Sequence, residues 1–331
     1  MKAVQITKPN QVELIELPTP EPKEDEVLIQ VMASGICGTD IHILRGEYMG
    51  NYPVIPGHEF SGVVVKTGAR VTRFRAGERV AVEPNIPCNN CYECLHNRQN
   101  FCLNWQAVGV TLQGAMAEYV AVPEPQVFLT SDLAFEQAAF VEPLSCVLHG
   151  LEHLNLRMGD RIAILGAGPI GMQLLRACRQ QGVTHLTLVE RNISRLEFAH
   201  SETEASLASL DELTPDGYDA VIDATGVPAV MRRSLDFVRP GGKVLWFGVP
   251  PAGQEMSIEP FKIFRKGLSV FGSFTSLRNS YQAVDLLHTA RVPVGDLVSH
   301  RLPLKDFKHG CELIEKGAEN VRKVMIVPTL A

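Results

Sequence analysis

The sequence lacks the features that would direct a chain to a membrane, a nucleic acid or the secretory route. No predominantly apolar stretch reaches the roughly 18 residues that a membrane-spanning helix needs. No block of basic residues stands out in a chain whose formal net charge is −6, so a nucleic-acid partner is not expected. The start, Met1-Lys2-Ala3-Val4, runs into charged residues without the apolar segment of a signal peptide. We therefore expect a cytoplasmic protein without nucleic-acid or membrane partners.

Internal repeats and low-complexity segments are also missing, but the length of 331 residues predicts a division into domains. Single cores stop growing at roughly 250–300 residues, so two domains are expected. Up to about residue 145, short apolar runs separated by Gly, Pro and charge predict a β-rich part. The following part predicts a doubly wound α/β domain with a parallel sheet. Its predicted strands are Arg161–Leu165, Leu186–Glu190, Asp219–Thr225, Lys243–Gly248 and Ser269–Phe274, and its predicted helices are Pro169–Gln181 and Ala229–Phe237.

Eight cysteines are present, and without a secretory signal they favour metal or redox chemistry over disulfides. Four of them follow the spacing C-x2-C-x2-C-x7-C among turn-forming residues, which suits one tetrahedral zinc held only by protein thiolates. An iron–sulfur cluster and four free thiols are the alternatives that the spacing leaves open. The predicted ligands of this structural site are Cys88, Cys91, Cys94 and Cys102.

A second set of candidate ligands is spread over three segments. One contains Cys37, the next is Gly57-His58-Glu59, and the third contains Glu142. Each alone has an ordinary explanation, because a single Cys is usually part of a core and a His beside a Glu is usually a structural pair. Together, one Cys, one His and one or two carboxylates suit a zinc that keeps a position for water or substrate.

A glycine-rich loop follows the predicted strand that ends at Leu165, and a predicted helix follows the loop. This G-x-G-x-x-G context indicates a dinucleotide site with the pyrophosphate at the helix N-terminus. Gly166 permits the tight turn, Gly168 lets the backbone approach the pyrophosphate, and Gly171 lets the helix pack against the sheet. The predicted contacts are Gly166, Gly168, Pro169, Ile170 and Gly171.

Glu190, at the end of the next predicted strand, helps to distinguish NAD(H) from NADP(H) as the expected cofactor. A carboxylate there accepts hydrogen bonds from the ribose hydroxyls and repels a 2′-phosphate, so NAD(H) is expected. Arg191 could pair with that phosphate, which keeps NADP(H) as the alternative. The acidic, Ser-rich segment Ser201–Pro215 predicts an irregular third strand in this part of the sheet.

The residues around His58 resemble a known signature. Gly57-His58-Glu59, with Gly62, Gly68 and Val71, matches the zinc alcohol dehydrogenases, and with the four-cysteine run the whole chain resembles the zinc-containing medium-chain dehydrogenase/reductase family. The resemblance implies a GroES-like catalytic domain over 1–145 and 285–331 and a Rossmann domain over 146–284. It also implies a homo-oligomer, either a tetramer or a dimer.

The same resemblance implies the roles of the second metal site. Cys37, His58 and Glu59 would bind a catalytic zinc. Glu142 stands where alcohol dehydrogenases carry a third zinc cysteine and where sorbitol, threonine and other polyol dehydrogenases carry glutamate. It would be a fourth ligand or a hydrogen-bond partner of the zinc-bound water. Thr39 and His42 would carry the alcohol proton outward by way of the cofactor ribose; the alternatives are that Thr39 caps a helix and that His42 is merely exposed.

Other cofactor contacts are likewise implied by the resemblance. Arg195 would lie near the adenosine, although a solvated helix charge is the alternative. The residues expected along the nicotinamide half are Phe247, Gly248, Val249, Ser273, Phe274 and Thr275.

The expected activity is hydride transfer between a polyol or other secondary alcohol and NAD(H). Tyr48, Thr111 and Phe274 are candidate substrate contacts. Sorbitol dehydrogenases usually have Arg where this chain has Thr275, so sorbitol itself is doubtful. Oxidation of a threonine-type amino alcohol or a sugar acid is the nearest alternative. A zinc-free reductase on the same fold and a non-catalytic, zinc-stabilised binding protein are disfavoured by the intact ligand set.

Overall fold

The computed structural model of the chain describes residues 1–202, 206–207, 209–317 and 320–330. Contacts divide the chain into a split unit, Met1–Ser145 with Ser276–Ala331, and a continuous unit, Cys146–Thr275. The second boundary therefore falls at Ser276 and not at the predicted residue 285. The physical reason is that the hydroxyls of Ser276 and Ser280 donate to the buried carboxylate of Glu83 at 2.5 and 2.8 Å, which attaches this stretch to the split unit.

The split unit is built on a seven-stranded sheet. Its order is β16-β17-β3-β4-β5-β9, with β8 paired to β3. The strands of this unit are β1 Lys2–Lys8, β2 Gln11–Glu16, β3 Glu26–Gly35, β4 Glu59–Thr67, β5 Arg79–Val82, β6 Asn85–Ile86, β7 Gln106–Ala107, β8 Tyr119–Pro123, β9 Val127–Leu129, β16 Val298–Leu302 and β17 Lys323–Ile326. Its helices are α1 Gly38–Arg45, α2 Tyr92–Leu95, α3 Phe135–Ala138, α9 Ser280–His288 and α10 Phe307–Lys316. A further helix, α4 Val141–Glu152, includes the boundary between the two units.

Alternation along β3 produces the core of the split unit. Val27, Ile29 and Val31 point to one side of the strand, because successive side chains point to opposite faces. All three are fully buried, and they pack with Phe60 and Val64 of β4. A second cluster lies around the fully buried Phe307 of α10 and includes residues of β17. The β-rich character predicted from the sequence is confirmed.

The continuous unit contains a six-stranded parallel sheet in the order β12-β11-β10-β13-β14-β15, as the doubly wound prediction requires. Its core includes Ala163, Leu165 and Val221, each at most 1% exposed. Its strands are β10 Arg161–Leu165, β11 His185–Val189, β12 Ser206–Leu207, β13 Tyr218–Asp223, β14 Val238–Trp246 and β15 Ser269–Gly272. Its helices are α5 Pro169–Gln180, α6 Ile193–His200, α7 Pro228–Phe237 and α8 Pro260–Lys266.

The predicted irregularity after β11 concerns β12. This strand pairs with β11 over only two residues, Ser206 and Leu207. Residues 203–205 and 208, which belong to the same predicted segment, lie outside the described residues. Within the described ranges, no helix is long and apolar enough to cross a membrane.

Candidate functional site

Strand pairing in the split unit brings three predicted zinc ligands together. Cys37 is the N-cap residue of α1, two residues after the end of β3, and Glu59 begins β4 opposite Gly35 of β3. One ligand atom each from Cys37, His58 and Glu59 lies within 4.8 Å of the other two. His58 is 5% exposed and Glu59 only 2%. Thiolate, imidazole and carboxylate in this arrangement are a ligand set that fits zinc.

Asp40, which the sequence analysis did not single out, organises this group. Its Oδ2 accepts a hydrogen bond from the backbone N–H of Cys37 at 2.8 Å, and its Oδ1 accepts one from Gly57 at 3.0 Å. The same Oδ1 lies 3.5 Å from Nδ1 of His58. A carboxylate beside one imidazole nitrogen orients the ring and leaves the other nitrogen for a metal. The only signal in the sequence was its place three residues after Cys37.

The charges around His58 favour a cation. Burial lowers the pKa of His58, but the nearby negative charges of Asp40 and Cys37 raise it well above its ordinary value. A metal ion that binds here would take the place of the proton on the imidazole. The donors therefore fit zinc in their electrostatics as well as in their chemistry.

Lys323 is a second residue that the sequence analysis missed. Its ammonium pairs with Oε2 of Glu59 and donates a hydrogen bond to the carbonyl of Ile36 at 3.0 Å. Burial lowers the pKa of Lys323, but the charges of Glu59 and Cys37 outweigh that effect and raise it. Lys323 is far from these partners in the chain, so no local motif could have predicted the contact.

Glu142 takes a different place from the other candidate ligands. It lies in the first turn of α4 and is 8% exposed. It is not part of the group whose ligand atoms lie within 4.8 Å of one another. Its role as a zinc ligand or as the partner of a water stays a prediction.

The predicted relay residues lie on α1. Cys37, not Thr39, is the N-cap of this helix, so Thr39 is free of the capping role that was its alternative explanation. Nδ1 of His42 lies 2.9 Å from Oε2 of Glu47, and the His42 side chain is 18% exposed. An imidazole held by a carboxylate at the surface has the contacts that a proton-transfer group needs, although its role stays a prediction.

The four-cysteine site is compact. One sulfur from each of the four residues lies within 4.8 Å of the others, and Sγ of Cys91 lies 3.9 Å from Sγ of Cys102. The sulfur of Cys102 accepts hydrogen bonds from the backbone N–H of Cys88 at 3.2 Å and of Asn104 at 3.3 Å. A backbone hydrogen bond from Asn90 is the main reason that the pKa of Cys88 is lowered to about 6. Four sulfurs this close together fit the ligand set of a tetrahedral metal.

The cofactor contacts predicted in the continuous unit follow the carboxyl ends of parallel strands. The glycine loop follows β10, Glu190 follows β11, Phe247–Val249 follow β14, and Ser273–Thr275 follow β15. These ends lie on the same edge of the sheet, where doubly wound folds bind dinucleotides. The hydroxyl of Ser273 is buried and has no hydrogen-bond partner in the described structure, so a polar ligand could satisfy it.

The glycine loop is open at Gly168 and held by hydrogen bonds to Glu190. A Cβ on Gly168 would meet nothing within 4 Å, which leaves this face of the loop open to a ligand. Oε2 of Glu190 accepts a hydrogen bond from Ala167 in the loop at 3.0 Å, and its Oε1 accepts one from Asn192 at 2.8 Å. Glu190 therefore shapes the loop, and its contact with the cofactor ribose stays a prediction. The backbone N–H of Arg195 donates to the N-cap Asn192 at 3.2 Å, which places Arg195 in the first turn of α6.

The candidate substrate contacts belong to different units. Tyr48 and Thr111 lie in the split unit and Phe274 in the continuous unit. The Thr111 hydroxyl accepts a hydrogen bond from the backbone of Ala107 at 2.8 Å. Thr111 therefore stabilises a turn, and its contact with substrate stays a prediction.

Comparison with known proteins shows the family. Residues 23–132 match the alcohol dehydrogenase GroES-like domain, and residues 169–289 match the zinc-binding dehydrogenase family. The chain is 36% identical over 314 residues to D-altritol 5-dehydrogenase of Agrobacterium fabrum (92% of this chain, 94% of the relative). It is 32% identical over 341 residues to D-arabinitol dehydrogenase 1 of Uromyces fabae (99% and 97%).

The fold has a solved counterpart. A zinc-binding dehydrogenase from Sinorhizobium meliloti 1021, bound to NADP, superposes with a TM-score of 0.93 at 35% identity, over 99% of both chains. The chain therefore belongs to the zinc-binding dehydrogenases with an alcohol dehydrogenase GroES-like domain, and the predicted family and fold class are confirmed.

Proposed function

We propose that the protein oxidises a polyol, or another secondary alcohol, to a ketose or ketone with NAD⁺ as the hydride acceptor. The observation that carries this proposal is the group Cys37, His58 and Glu59, whose ligand atoms lie within 4.8 Å of one another in a member of the zinc-binding dehydrogenases. Bound there, zinc supplies a Lewis acid that lowers the pKa of an alcohol and favours its alkoxide.

The chain's own residues would hold the reactants and move the proton. Asp40 orients His58 through the contact at 3.5 Å and so fixes the ligand geometry. Thr39 would take the alcohol proton, and His42, held by Glu47, would release it to solvent. Glu142 would contribute a further ligand or bind the water that precedes substrate.

A second zinc is proposed at the four-cysteine site. All four ligands there are protein sulfurs, so the site has no open position and would only stabilise the fold. Metal analysis that finds about two zinc ions per chain would support both sites. One zinc would fit a protein with structural zinc alone, and iron would favour the cluster alternative.

NAD(H) is proposed over NADP(H). The carboxylate of Glu190 is buried at the end of β11, where it would repel a 2′-phosphate. The neighbouring Arg191 is exposed, and the structure from Sinorhizobium meliloti holds NADP, so the alternative has support of its own. Measuring kcat/KM with NAD⁺ and with NADP⁺ tests the choice of cofactor. Glu190→Gln should narrow the difference between these two kcat/KM values.

The substrate class is proposed from the relatives and from Glu142. The two relatives named above act on sugar alcohols, at 36% and 32% identity. A panel of polyols, amino alcohols and sugar acids, assayed with both cofactors, tests the proposal. Turnover of L-threonine alone would favour the amino-alcohol alternative. Zinc binding without turnover of any alcohol would favour the non-catalytic binding protein.

A matched pair of variants tests the site itself. Cys37→Ala removes a proposed catalytic ligand and should abolish turnover with the loss of about one zinc per chain. Cys178→Ala is the control, because Cys178 is fully buried on α5 and belongs to neither ligand group. Equal activity in both variants would refute the proposed site.

A further inference from the structure

Lys323 is a buried charge whose contacts reach the proposed zinc site. It begins β17, is 5% exposed, and pairs with Oε2 of Glu59 while donating to the carbonyl of Ile36 at 3.0 Å. A buried ammonium is costly unless it is paired and hydrogen-bonded. These two contacts account for its burial, and the charged partner, Glu59, is a proposed metal ligand.

Gly35 leaves the room that this contact needs. It ends β3, between Met325 of β17 and Glu59 of β4 in the sheet register. A Cβ on Gly35 would lie 2.5 Å from Oε2 of Glu59 and 2.6 Å from Cε of Lys323. Gly35 is not among the glycines with positive φ, so its backbone does not require glycine. The missing side chain instead lets the ammonium cross β3 and reach the carboxylate.

The ion pair changes how strongly Glu59 can bind a metal ion. A carboxylate oxygen that already neutralises an ammonium donates less charge to a cation at Cys37 and His58. We propose that Lys323 is a positioning residue that weakens Glu59 as the third zinc ligand, so that an incoming substrate oxygen can replace it. This inference rests on the proposed function, because it requires zinc at Cys37. A purely structural Lys323 would only hold β17 beside β3, without effect on the exchange of metal.

The rate at which the holoenzyme releases zinc to excess EDTA tests the inference. Zinc release from the Cys37 site is identified as the kinetic phase that is absent from the release time course of Cys37→Ala. Lys323→Met keeps the long apolar stem and removes the charge, so this phase should slow about tenfold, within the range by which outer-shell partners change metal affinity. Lys323→Arg retains a cation and should release zinc close to the wild-type rate. In Glu59→Gln, adding Lys323→Met should produce no slowing.

An unchanged or faster release from Lys323→Met overturns the inference. If Lys323→Met does not fold, zinc release from Glu59→Gln tests the inference alone. If Glu59 is a weak ligand, this variant should release zinc less than about tenfold faster than the wild type. A larger acceleration would show that Glu59 is a full ligand and would overturn the inference. If Cys37→Ala removes no phase from the wild-type time course, the proposed function falls and this inference falls with it. The two failures are therefore distinguishable by experiment.

Discussion

At the scale of single residues, His42 carries the most direct prediction about turnover. His42→Ala should lower kcat at neutral pH by about 10²-fold, because general acid–base groups contribute at least that much. The loss should shrink at high pH, where hydroxide can accept the proton. His185→Ala, which changes an exposed histidine of β11, is the control. A pH–rate profile parallel to that of the wild type would contradict the relay.

A second, pH-dependent behaviour is expected of the cysteines once the proposed structural zinc is removed. The backbone N–H of Asn90 lowers the pKa of Cys88 to about 6, so its thiolate predominates above that pH. Burial raises the pKa of Cys178 to about 12, so it stays protonated and inert. With EDTA present, iodoacetamide should modify Cys88 rapidly at pH 7, more slowly as the pH falls below 6, and leave Cys178 unmodified.

Peptide mapping by mass spectrometry measures this difference. Protein without EDTA is the control, because the proposed zinc would protect the thiolates that bind it from alkylation. Equal labelling of Cys88 and Cys178 after chelation would show that the two environments do not differ as described.

The proposed metal ligands lie in local patterns and could be predicted from the sequence, whereas the ion pair of Lys323 depends on distant pairing and could not. The close spacing of four cysteines indicates a metal site, and His58-Glu59 lies in a recognisable sequence signature. Lys323 reaches Glu59 only through the register of β17, β3 and β4. A lysine at the start of a strand is usually exposed, and nothing in its neighbourhood indicates that this one is buried beside a carboxylate.

At the scale of elements, the β10-loop-α5 segment allows a test with matched glycines. A Cβ on Gly171 would lie 1.8 Å from the carbonyl oxygen of Gly166, whereas one on Gly168 would touch nothing within 4 Å. Gly171→Ala should therefore lower the free energy of unfolding by about 1–3 kcal/mol, as overpacking does. Gly168→Ala should fold normally and bind NAD⁺ more weakly, because its methyl group occupies the space of the pyrophosphate.

Urea unfolding and a fluorescence titration with NAD⁺ separate the two effects. Loss of stability in Gly168→Ala, or full stability in Gly171→Ala, would show that the packing of α5 on the loop differs from this description.

Glu83 joins α4, α9 and the loop before α9 through one carboxylate oxygen. Its Oε2 accepts hydrogen bonds from the hydroxyls of Ser145 at 3.2 Å, Ser276 at 2.5 Å and Ser280 at 2.8 Å. Glu83→Ala removes this shared acceptor from the buried hydroxyls and should cost about 3 kcal/mol of unfolding free energy. Glu16→Ala, an exposed change on β2, is the control and should cost far less in the same urea experiment. Equal stability of the two variants would rule out this role.

Periodicity predicted the continuous unit more fully than the split unit. The strand Arg161–Leu165 and the start of α5 at Pro169 agree with the prediction, because apolar runs and glycines mark both. The helix α4 was missed, since the Pro143 within its first turn and the mixture of Val, Ser and Cys obscure its period. Ser280 belongs to the split unit because of its hydrogen bond to Glu83, and no local sequence pattern predicts that contact.

At the scale of the whole molecule, we propose a homo-oligomer, which light scattering can measure. β15 lies at one end of the six-stranded sheet, and an edge strand presents backbone groups that a second copy can pair with. Size-exclusion chromatography with light scattering should give a dimer or a tetramer of the 36.4 kDa chain. A monomer at all concentrations would contradict this proposal.

Because the split unit is formed from two separate parts of the chain, its strands are translated at different times. β3 and β4, which contain or adjoin Cys37 and Glu59, are translated before the continuous unit, but β17 is translated after it. Domains fold as units while the ribosome still extends the chain. The continuous unit can therefore mature while Glu59 still lacks its ammonium partner. The sheet that holds the proposed catalytic zinc site would be completed only when the ribosome has delivered β16 and β17, and with them Lys323.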